Sequence, residues 1–198
     1  MELAQATGYF GSEQIEGWNG TAWEEIADLN LNLHAYDRFL GPRAFGQKQR
    51  LLFGGKDQII PSQYELVRLS NGDIYIILSH NQDLAHGVAY DTTYVVQKAP
   101  FVADLIEMVE VPAPSGIGGT IERTSRGTVM CDMDRYTAGD SEELPTVRYT
   151  TFSILMPASA AIDLDYELEI AGDAYQIIEI SPLLQVKEVR ARRGGDVV

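Results

Sequence analysis

Residues 162–193 decide the fold, with the sequence IDLDYELEIAGDAYQIIEISPLLQVKEVRARR. The first part alternates acidic and apolar residues and meets Gly172, a residue that tolerates the positive φ of a hairpin turn. The chain then continues through a run rich in Tyr and Ile, which are enriched in strands. Pro182 ends that run because proline has no N–H for a β-ladder. The stretch therefore predicts a strand, a tight turn, a strand, a proline corner and a basic final strand.

A similar pattern occurs 100 residues earlier, where GDIYII (residues 72–77) matches GDAYQI (residues 172–177). Residues 50–53 and 149–152 are candidate matching strands upstream of the two copies. We therefore expect Gly72 and Gly172 in matching hairpin turns, within two related β-domains that arose by tandem duplication. The alternative is that the two hairpins are unrelated and are similar only because Gly, Asp, Tyr and Ile are common in hairpins.

The ending from residue 165 to residue 193 resembles the C-terminal hairpin of phage head-closure (stopper, or head–tail connector) proteins. In that family a small β-barrel ends with a strand, a Gly-Asp turn, a second strand, a proline corner and a basic final strand. The resemblance implies a ring-forming structural protein of the virion neck that joins portal to tail. It also implies a protein without catalysis, and we expect no metal-binding or cofactor-binding residues because the sequence has no clear spacing or motif for such a site.

The resemblance further implies the partners and the location of the chain. The partners are copies of itself in a homo-oligomeric ring, the portal or an adaptor protein, and tail proteins. The location is the virion neck, assembled in the host cytoplasm, with DNA only as passing cargo. The net charge of −14 over 198 residues disfavours a nucleic-acid-binding module, although an acidic channel wall lets DNA slide past. No apolar run is long enough to span a membrane.

The predicted fold class is mostly β, with one or two small barrel or sandwich domains and short helices. The predicted order is a flexible arm (1–19), a first β-domain (20–111), a linker (112–119), a second β-domain (120–193) and a tail (194–198). The linker PAPSGIGG follows Val111 and is rich in Pro and Gly, which are typical of loops.

Two segments have helical signals. Thr21 and Glu24 have capping-box spacing, which predicts a short helix from residue 22 to about residue 28. Pro100 suits the first turn of a second helix over residues 100–111. The β-branched residues at the end of that second segment also allow a strand.

Charged residues near the C-terminus form the candidate interface. Four carboxylates alternate with apolar residues and predict an acidic stripe, which either is a solvated strand face or lines a channel or a basic partner. The last strand carries a cluster of cations, which either solubilises the terminus or pairs with the acidic stripe of a neighbouring copy. The residues of this candidate interface are Asp163, Asp165, Glu167, Glu169, Arg190, Arg192 and Arg193.

Other functions have weaker support. Asp132 and Asp134 have the D-x-D spacing found in divalent-metal sites, which leaves a metal-dependent enzyme as one alternative. A small barrel that binds a glycan or a protein is another. Cys131 is the single cysteine and is interpreted as a buried hydrophobe rather than a nucleophile. No nucleophile elbow, P-loop or dinucleotide fingerprint is present, so we do not expect an enzyme.

Overall fold

The computed structural model describes residues 15–26, 29, 31–35, 49–55, 58–85, 88–112, 119–135, 150–183 and 185–193. These residues form thirteen β-strands, which confirms the predicted mostly β class. The chain divides into two compact units, Met1–Lys98 (unit 1) and Ala99–Val198 (unit 2). No helix long and apolar enough to cross a membrane occurs in these described segments.

Unit 1 contains one antiparallel sheet of seven strands in the order β2-β1-β5-β6-β7-β4-β3. Ile26 on edge strand β2 and Leu33 on edge strand β3 pack against the same core, so the sheet curls around one interior. The strands are β1 (Ile15–Trp18), β2 (Trp23–Ile26), β3 (Asn32–Ala35), β4 (Gln49–Gly55), β5 (Leu66–Arg68), β6 (Ile74–Ala85) and β7 (Val88–Lys98).

Unit 2 is a closed antiparallel barrel of six strands in the order β10-β13-β12-β11-β8-β9. Its interior is filled by side chains such as Ile154, Met156 and Leu168, all fully buried. The ring leaves no unpaired edge where it closes. The strands are β8 (Phe101–Pro112), β9 (Gly119–Arg135), β10 (Thr151–Pro157), β11 (Tyr166–Ile170), β12 (Asp173–Pro182) and β13 (Val186–Arg193).

The two units repeat one topology. The order β1-β5-β6-β7-β4-β3 in unit 1 corresponds to β8-β11-β12-β13-β10-β9 in unit 2. β2 and β3 follow each other in sequence, and together they correspond to the single long strand β9. The first part of β9 pairs with β8, as β2 pairs with β1, and its last part pairs with β10, as β3 pairs with β4. The unbroken strand β9 thus closes the barrel of unit 2.

The register of the shared strands is also repeated. A β-bulge falls between Ile77 and Ser79 where β6 pairs with β7, and another falls between Ile177 and Glu179 where β12 pairs with β13. These positions differ by 100 residues. A bulge is a local feature of register that strand order alone does not require. The bulge at the same position in both units therefore favours tandem duplication over a chance similarity between residue types that are common in hairpins.

The predicted hairpin turns are confirmed. Gly72 lies between β5 and β6 with φ 83°, and Gly172 lies between β11 and β12 with φ 86°. The second turn has two residues, and Ala171 in its first position has φ 53°. Two consecutive positive φ values define a type I′ turn, whose twist matches that of the flanking strands.

The upstream match of the two copies was predicted in the wrong register. Arg50 on β4 lies opposite Val96, and Phe152 on β10 lies opposite Ala191. Val96 lies opposite Ile77, and Ala191 lies opposite Ile177, at the two equivalent bulges. Val96 and Ala191 are therefore equivalent. Residues 50–53 therefore correspond to residues 152–155 and not to residues 149–152.

The predicted helix over residues 22–28 is wrong, because strand β2 occupies Trp23–Ile26. Asn19 accepts hydrogen bonds from the backbone N–H groups of Thr21 and Ala22, which closes a hairpin turn. The carboxylate of Glu24 accepts hydrogen bonds from the side chains of Asn19 and Tyr64. It therefore caps no helix, and the capping-box spacing is coincidental.

The predicted helix over residues 100–111 is also wrong, because strand β8 covers Phe101–Pro112. Ala103 and Leu105 are buried in the barrel core, two residues apart, which is the period of a strand. Met108 would share a helix face with Leu105, but its side chain is 39% exposed. The β-branched residues of this segment favoured the strand that the sequence also allowed.

Strand β8 belongs to unit 2, since it pairs with β9 and β11, whereas the predicted first domain extends to residue 111. Residues 112–119 therefore connect two strands of one barrel, and residues 113–118 lie outside the described residues. The predicted arm includes Ile15–Trp18, which form β1, and Ile15 is fully buried. Residues 1–14 and 194–198 of the predicted arm and tail lie outside the described residues.

Candidate functional site

The cations of the last strand contact acidic residues of their own barrel. Arg190 donates a hydrogen bond from Nη1 to Oε2 of Glu179, at 2.7 Å. Arg193 donates from Nη2 to Oδ1 of Asp173, at 2.5 Å. Arg192 is partly buried. The basic end of β13 is thus ordered by local ion pairs, and any contact with a neighbouring copy would share these charges.

The predicted acidic stripe is divided between a turn and a strand. Asp163 and Asp165 are exposed and lie in the turn before β11, where Tyr166 N–H donates to the backbone oxygen of Asp163 at 3.2 Å. Glu167 and Glu169 lie on β11 itself. One regular strand from residue 163 to residue 169 was therefore a wrong prediction.

Arg123, which the sequence did not identify, lies beside the strand half of this stripe. Its Nη2 atom is 3.3 Å from Glu167 Oε2 and 3.6 Å from Glu169 Oε2. Arg123 belongs to β9, and β8 separates β9 from β11 in the barrel. One guanidinium thus offsets part of the charge of two carboxylates. Asp163 and Asp165 are the half of the stripe that lies in the exposed turn.

The hairpin of β8 and β9 continues beyond the barrel. β8 pairs with β11 only as far as Glu107, which lies opposite Tyr166. From Met108 to Pro112, β8 pairs with the segment of β9 from Gly119 to Arg123. Within the described residues these two segments pair only with each other. We call residues 108–112 and 119–123 the ribbon.

The ribbon has no buried side chain. Ile121 is 67% exposed, and Val109 and Val111 are partly exposed. The signal for this hairpin was in the sequence, because strand-forming residues flank both sides of the Pro- and Gly-rich segment 112–119. A Pro/Gly-rich segment is as typical of a hairpin tip as of a linker between domains.

The geometry around Cys131 does not favour nucleophilic chemistry. Burial, and secondarily the charge of Asp132, raise the pKa of the Cys131 thiol to about 12. Only the thiolate is strongly nucleophilic, so this cysteine is inert at neutral pH. Cys131 is buried in the same core cluster as Ile154 and Val189, as a small hydrophobe is.

The D-x-D residues do not form a recognisable metal site. Asp132 is buried, while Asp134 is partly exposed and accepts a hydrogen bond from Arg135 N–H at 2.9 Å. Met133 between them packs against the barrel core. No group of three or more His, Cys, Asp or Glu side chains suited to a metal ion occurs in the described part of the chain.

Unit 1 carries a cluster of aromatic and charged side chains at its β1–β2 hairpin. The rings of Trp18 and Trp23 lie 5.4 Å apart between centroids, with a tilt of 54°. The guanidinium of Arg68 lies 4.7 Å from the centroid of Trp23 and also forms an ion pair with Glu16. One face of Trp23 is therefore covered from within the chain.

No protein-family model matches the chain, and no curated protein matches it. One similar solved structure is a chain in the virion of a native gene transfer agent (GTA) particle, with 16% sequence identity and a TM-score of 0.36. The match covers 46% of this chain and 90% of that chain. A similarity at this level assigns neither a fold nor a function.

Proposed function

We propose that the chain is a structural protein of a tailed-phage-like virion, and that it forms a ring in the neck as a connector or stopper between portal and tail. One observation carries the proposal. Unit 2 is a small closed barrel that ends with the Gly172 turn, a strand up to Pro182 and the basic strand β13. The resemblance of the C-terminal sequence to head-closure proteins implies these same parts. In this proposal the chain is not an enzyme and needs no cofactor.

The candidate contact joins the basic strand of one copy to the acidic turn of the next. Asp163 and Asp165 are the exposed acidic side, and Arg190, Arg192 and Arg193 are the basic side. Glu167 and Glu169 follow the turn on β11, beside Arg123. Unlike patches at two different places on a subunit give a head-to-tail contact, which generates a ring if the rotation closes. In this role the negative charge of the chain lets DNA pass without binding.

The acidic side gives the cleaner test, because reversing the arginines would also remove ion pairs within the barrel. We expect the double variant Asp163→Asn/Asp165→Asn to fold normally and to associate at least about tenfold more weakly with itself. Exposed ion pairs contribute roughly 0–1 kcal/mol each, so a measurable effect requires that the contact is repeated around a ring. Sedimentation of the purified chain at low and high salt measures this change.

The matched control is Ser62→Lys/Gln63→Lys, which changes the net charge by the same amount at exposed positions of unit 1. Under the proposed function this control associates like the wild type. Equal effects of the two variants would mean that only net charge matters, and no effect of either would exclude the acidic turn from the contact.

A binding module for a glycan or a protein is the second candidate function. The observation that favours it is the partly exposed pair Trp18 and Trp23, with the carboxylate of Glu24 nearby in the same hairpin. A sugar ring would stack on Trp18, because Arg68 covers a face of Trp23. Trp18→Ala should then abolish binding to a glycan array without changing self-association, whereas the structural role predicts no glycan binding at all.

A further inference from the structure

The ribbon is an addition to the strand topology that the two units share. In unit 1 the β1–β2 hairpin ends at the pair of Trp18 and Trp23, closed by a four-residue turn in which Asn19 N–H donates to Ala22 O at 3.1 Å. The register of β1 with β5 and of β8 with β11 makes Trp18 equivalent to Ile106. Unit 2 continues five further residue pairs beyond Glu107. Since unit 1 builds the same topology without them, these pairs are not needed for the shared strand order.

An isolated ribbon of this kind is unfavourable in water. A two-stranded hairpin is marginally stable by itself, and an exposed strand edge presents unpaired N–H and C=O groups to other chains. Each strand of the ribbon has one such edge, because among the described residues only the edge toward the other strand is paired. The exposed side chains of Met108 and Ile121 add apolar surface that would be buried by a partner.

We propose that the ribbon docks on the ribbon of a second copy of this chain, with the β9 edge of one copy beside the β8 edge of the next. This inference rests on the proposed function only in that the chain assembles with copies of itself. The pairing preserves the antiparallel alternation of β8 and β9 from copy to copy. It also uses two different edges, so it is a head-to-tail contact that continues around a ring.

Charge favours a second copy as the occupant. Met108 lies opposite Arg123 within one ribbon, and Glu110 follows two residues later, so Glu110 and Arg123 point to the same face. A shift of two residues between copies places Glu110 of one copy opposite Arg123 of the next, whose guanidinium would then be shared with Glu167 and Glu169 of its own barrel. The same shift places Glu122 opposite Val111, so no carboxylate lies opposite another. An edge with this sequence is therefore complementary to a copy of itself.

The test removes the ribbon and keeps the barrel. Residues 108–123 are replaced by the Asn-Gly-Thr-Ala turn of residues 19–22. In unit 1 this turn joins Trp18 to Trp23, and in the variant it joins Glu107 to Thr124. Circular dichroism and thermal unfolding report folding, and sedimentation velocity reports self-association. We expect the graft variant to fold and to lose self-association, with a dissociation constant raised at least about tenfold.

A pair of point variants covers the case in which the graft variant does not fold. Ile121→Lys places a cation on the ribbon. Val102→Lys places a cation at the other end of the β8–β9 hairpin, on a part of β8 that belongs to the barrel wall. The side chain of Val102 is 51% exposed. Both positions are exposed, so both variants should fold. Lysine on a strand edge opposes edge-to-edge pairing, so only Ile121→Lys should weaken self-association.

The outcomes separate the two proposals. The ribbon contact is supported if the wild type and Val102→Lys associate equally and the graft variant or Ile121→Lys does not associate. A wild type and ribbon variants that associate equally would overturn the ribbon contact and leave the proposed function standing. A wild type that never associates with itself would overturn the second copy as the occupant.

Discussion

Unit 1 and unit 2 share a scaffold and differ in what they present on its outer side. Leu66, Val95 and Gln97 in unit 1 point away from the core cluster and are nevertheless buried. The pairing registers make them equivalent to Glu167, Arg190 and Arg192 in unit 2, which are charged and partly exposed. The core thus determines the topology in both units. The outer side, which the topology does not fix, is where the two units differ in charge and exposure.

The largest effect is expected from equivalent core positions. Leu52 on β4 lies opposite Tyr94, and Ile154 on β10 lies opposite Val189 in the same place of the repeat. Both side chains are almost completely buried, so Leu52→Ala and Ile154→Ala should each lower the free energy of unfolding by about 2–5 kcal/mol.

Urea unfolding measures both values, with Ile178→Ala at the exposed bulge as a control that should change stability by less than about 0.5 kcal/mol. A loss of unfolding free energy near the control value at either core position would show that the two core positions are not equivalent.

The next effect concerns Cys131. It directly precedes the part of β9 that pairs with β10, and buried Leu31 holds the equivalent position before β3 in unit 1. Its folded-state pKa of about 12 lies above the ordinary thiol value of 9.0. The unfolded chain therefore ionises first, and the contribution of the thiol to stability is lost as pH rises from about 9 toward 12. The loss should approach about 1.4 kcal/mol per pH unit in this window.

Unfolding of the wild type and of Cys131→Val across this pH range measures the difference, because valine has no proton to lose. Rapid labelling of the folded protein by a thiol reagent at neutral pH would contradict the buried placement of Cys131.

A smaller effect is expected at the paired hairpin turns. Gly72 and Gly172 have positive φ, and an added Cβ at either would meet open space. Gly72→Ala and Gly172→Ala should therefore each cost about 1–2 kcal/mol, from backbone conformation alone. Thermal unfolding compares the two variants. A cost at one glycine and none at the other would show that the turns are not equivalent.

The smallest effect distinguishes the ion pairs next to these turns. Lys98 contacts Asp73 at 2.7 Å in unit 1, and Arg193 contacts Asp173 at 2.5 Å in unit 2. The hydrogen bond to Asp73 raises the pKa of Lys98, while partial burial lowers it less. The stabilising contribution of Lys98 is therefore present below the ordinary lysine pKa and is lost as pH rises through the folded-state value. Arg193 keeps its charge throughout.

NMR titration of Lys98 measures this shift, and the pKa should fall in Asp73→Asn. Double-mutant cycles should give both ion pairs a coupling energy of at most about 1 kcal/mol, as for other exposed pairs. An unchanged Lys98 titration in Asp73→Asn would mean that the contact does not persist in solution.

Local patterns in the sequence predicted local structure well. The turn at Gly172 and the echo at Gly72 follow from backbone conformation, which nearby residues determine. Two helices were predicted where strands occur, because a strand depends on hydrogen bonds to partners that are distant in sequence. The carboxylate of Glu24 shows this directly, since it bonds to Tyr64, forty residues away, and not to the start of a helix.

The charges of the candidate site were found in the sequence, but their pairing was not. Arg190 and Glu179 are near each other in sequence, yet their contact depends on the register of β12 with β13 and on the bulge between them. Arg123 reaches Glu167 and Glu169 across strand β8, and no spacing in the sequence indicates such a contact. Residues 112–119 were misinterpreted as a linker between domains because composition alone does not separate a connection between two strands of one barrel from a domain boundary.

The difference between the two units matters for function only if unit 2 holds copies of the chain together. Native mass spectrometry of the purified wild-type chain tests this claim most directly. We expect species at whole-number multiples of the chain mass that become fewer as salt rises toward about 1 M, where screening acts within about 3 Å. A single monomeric species at every protein and salt concentration would contradict the claim.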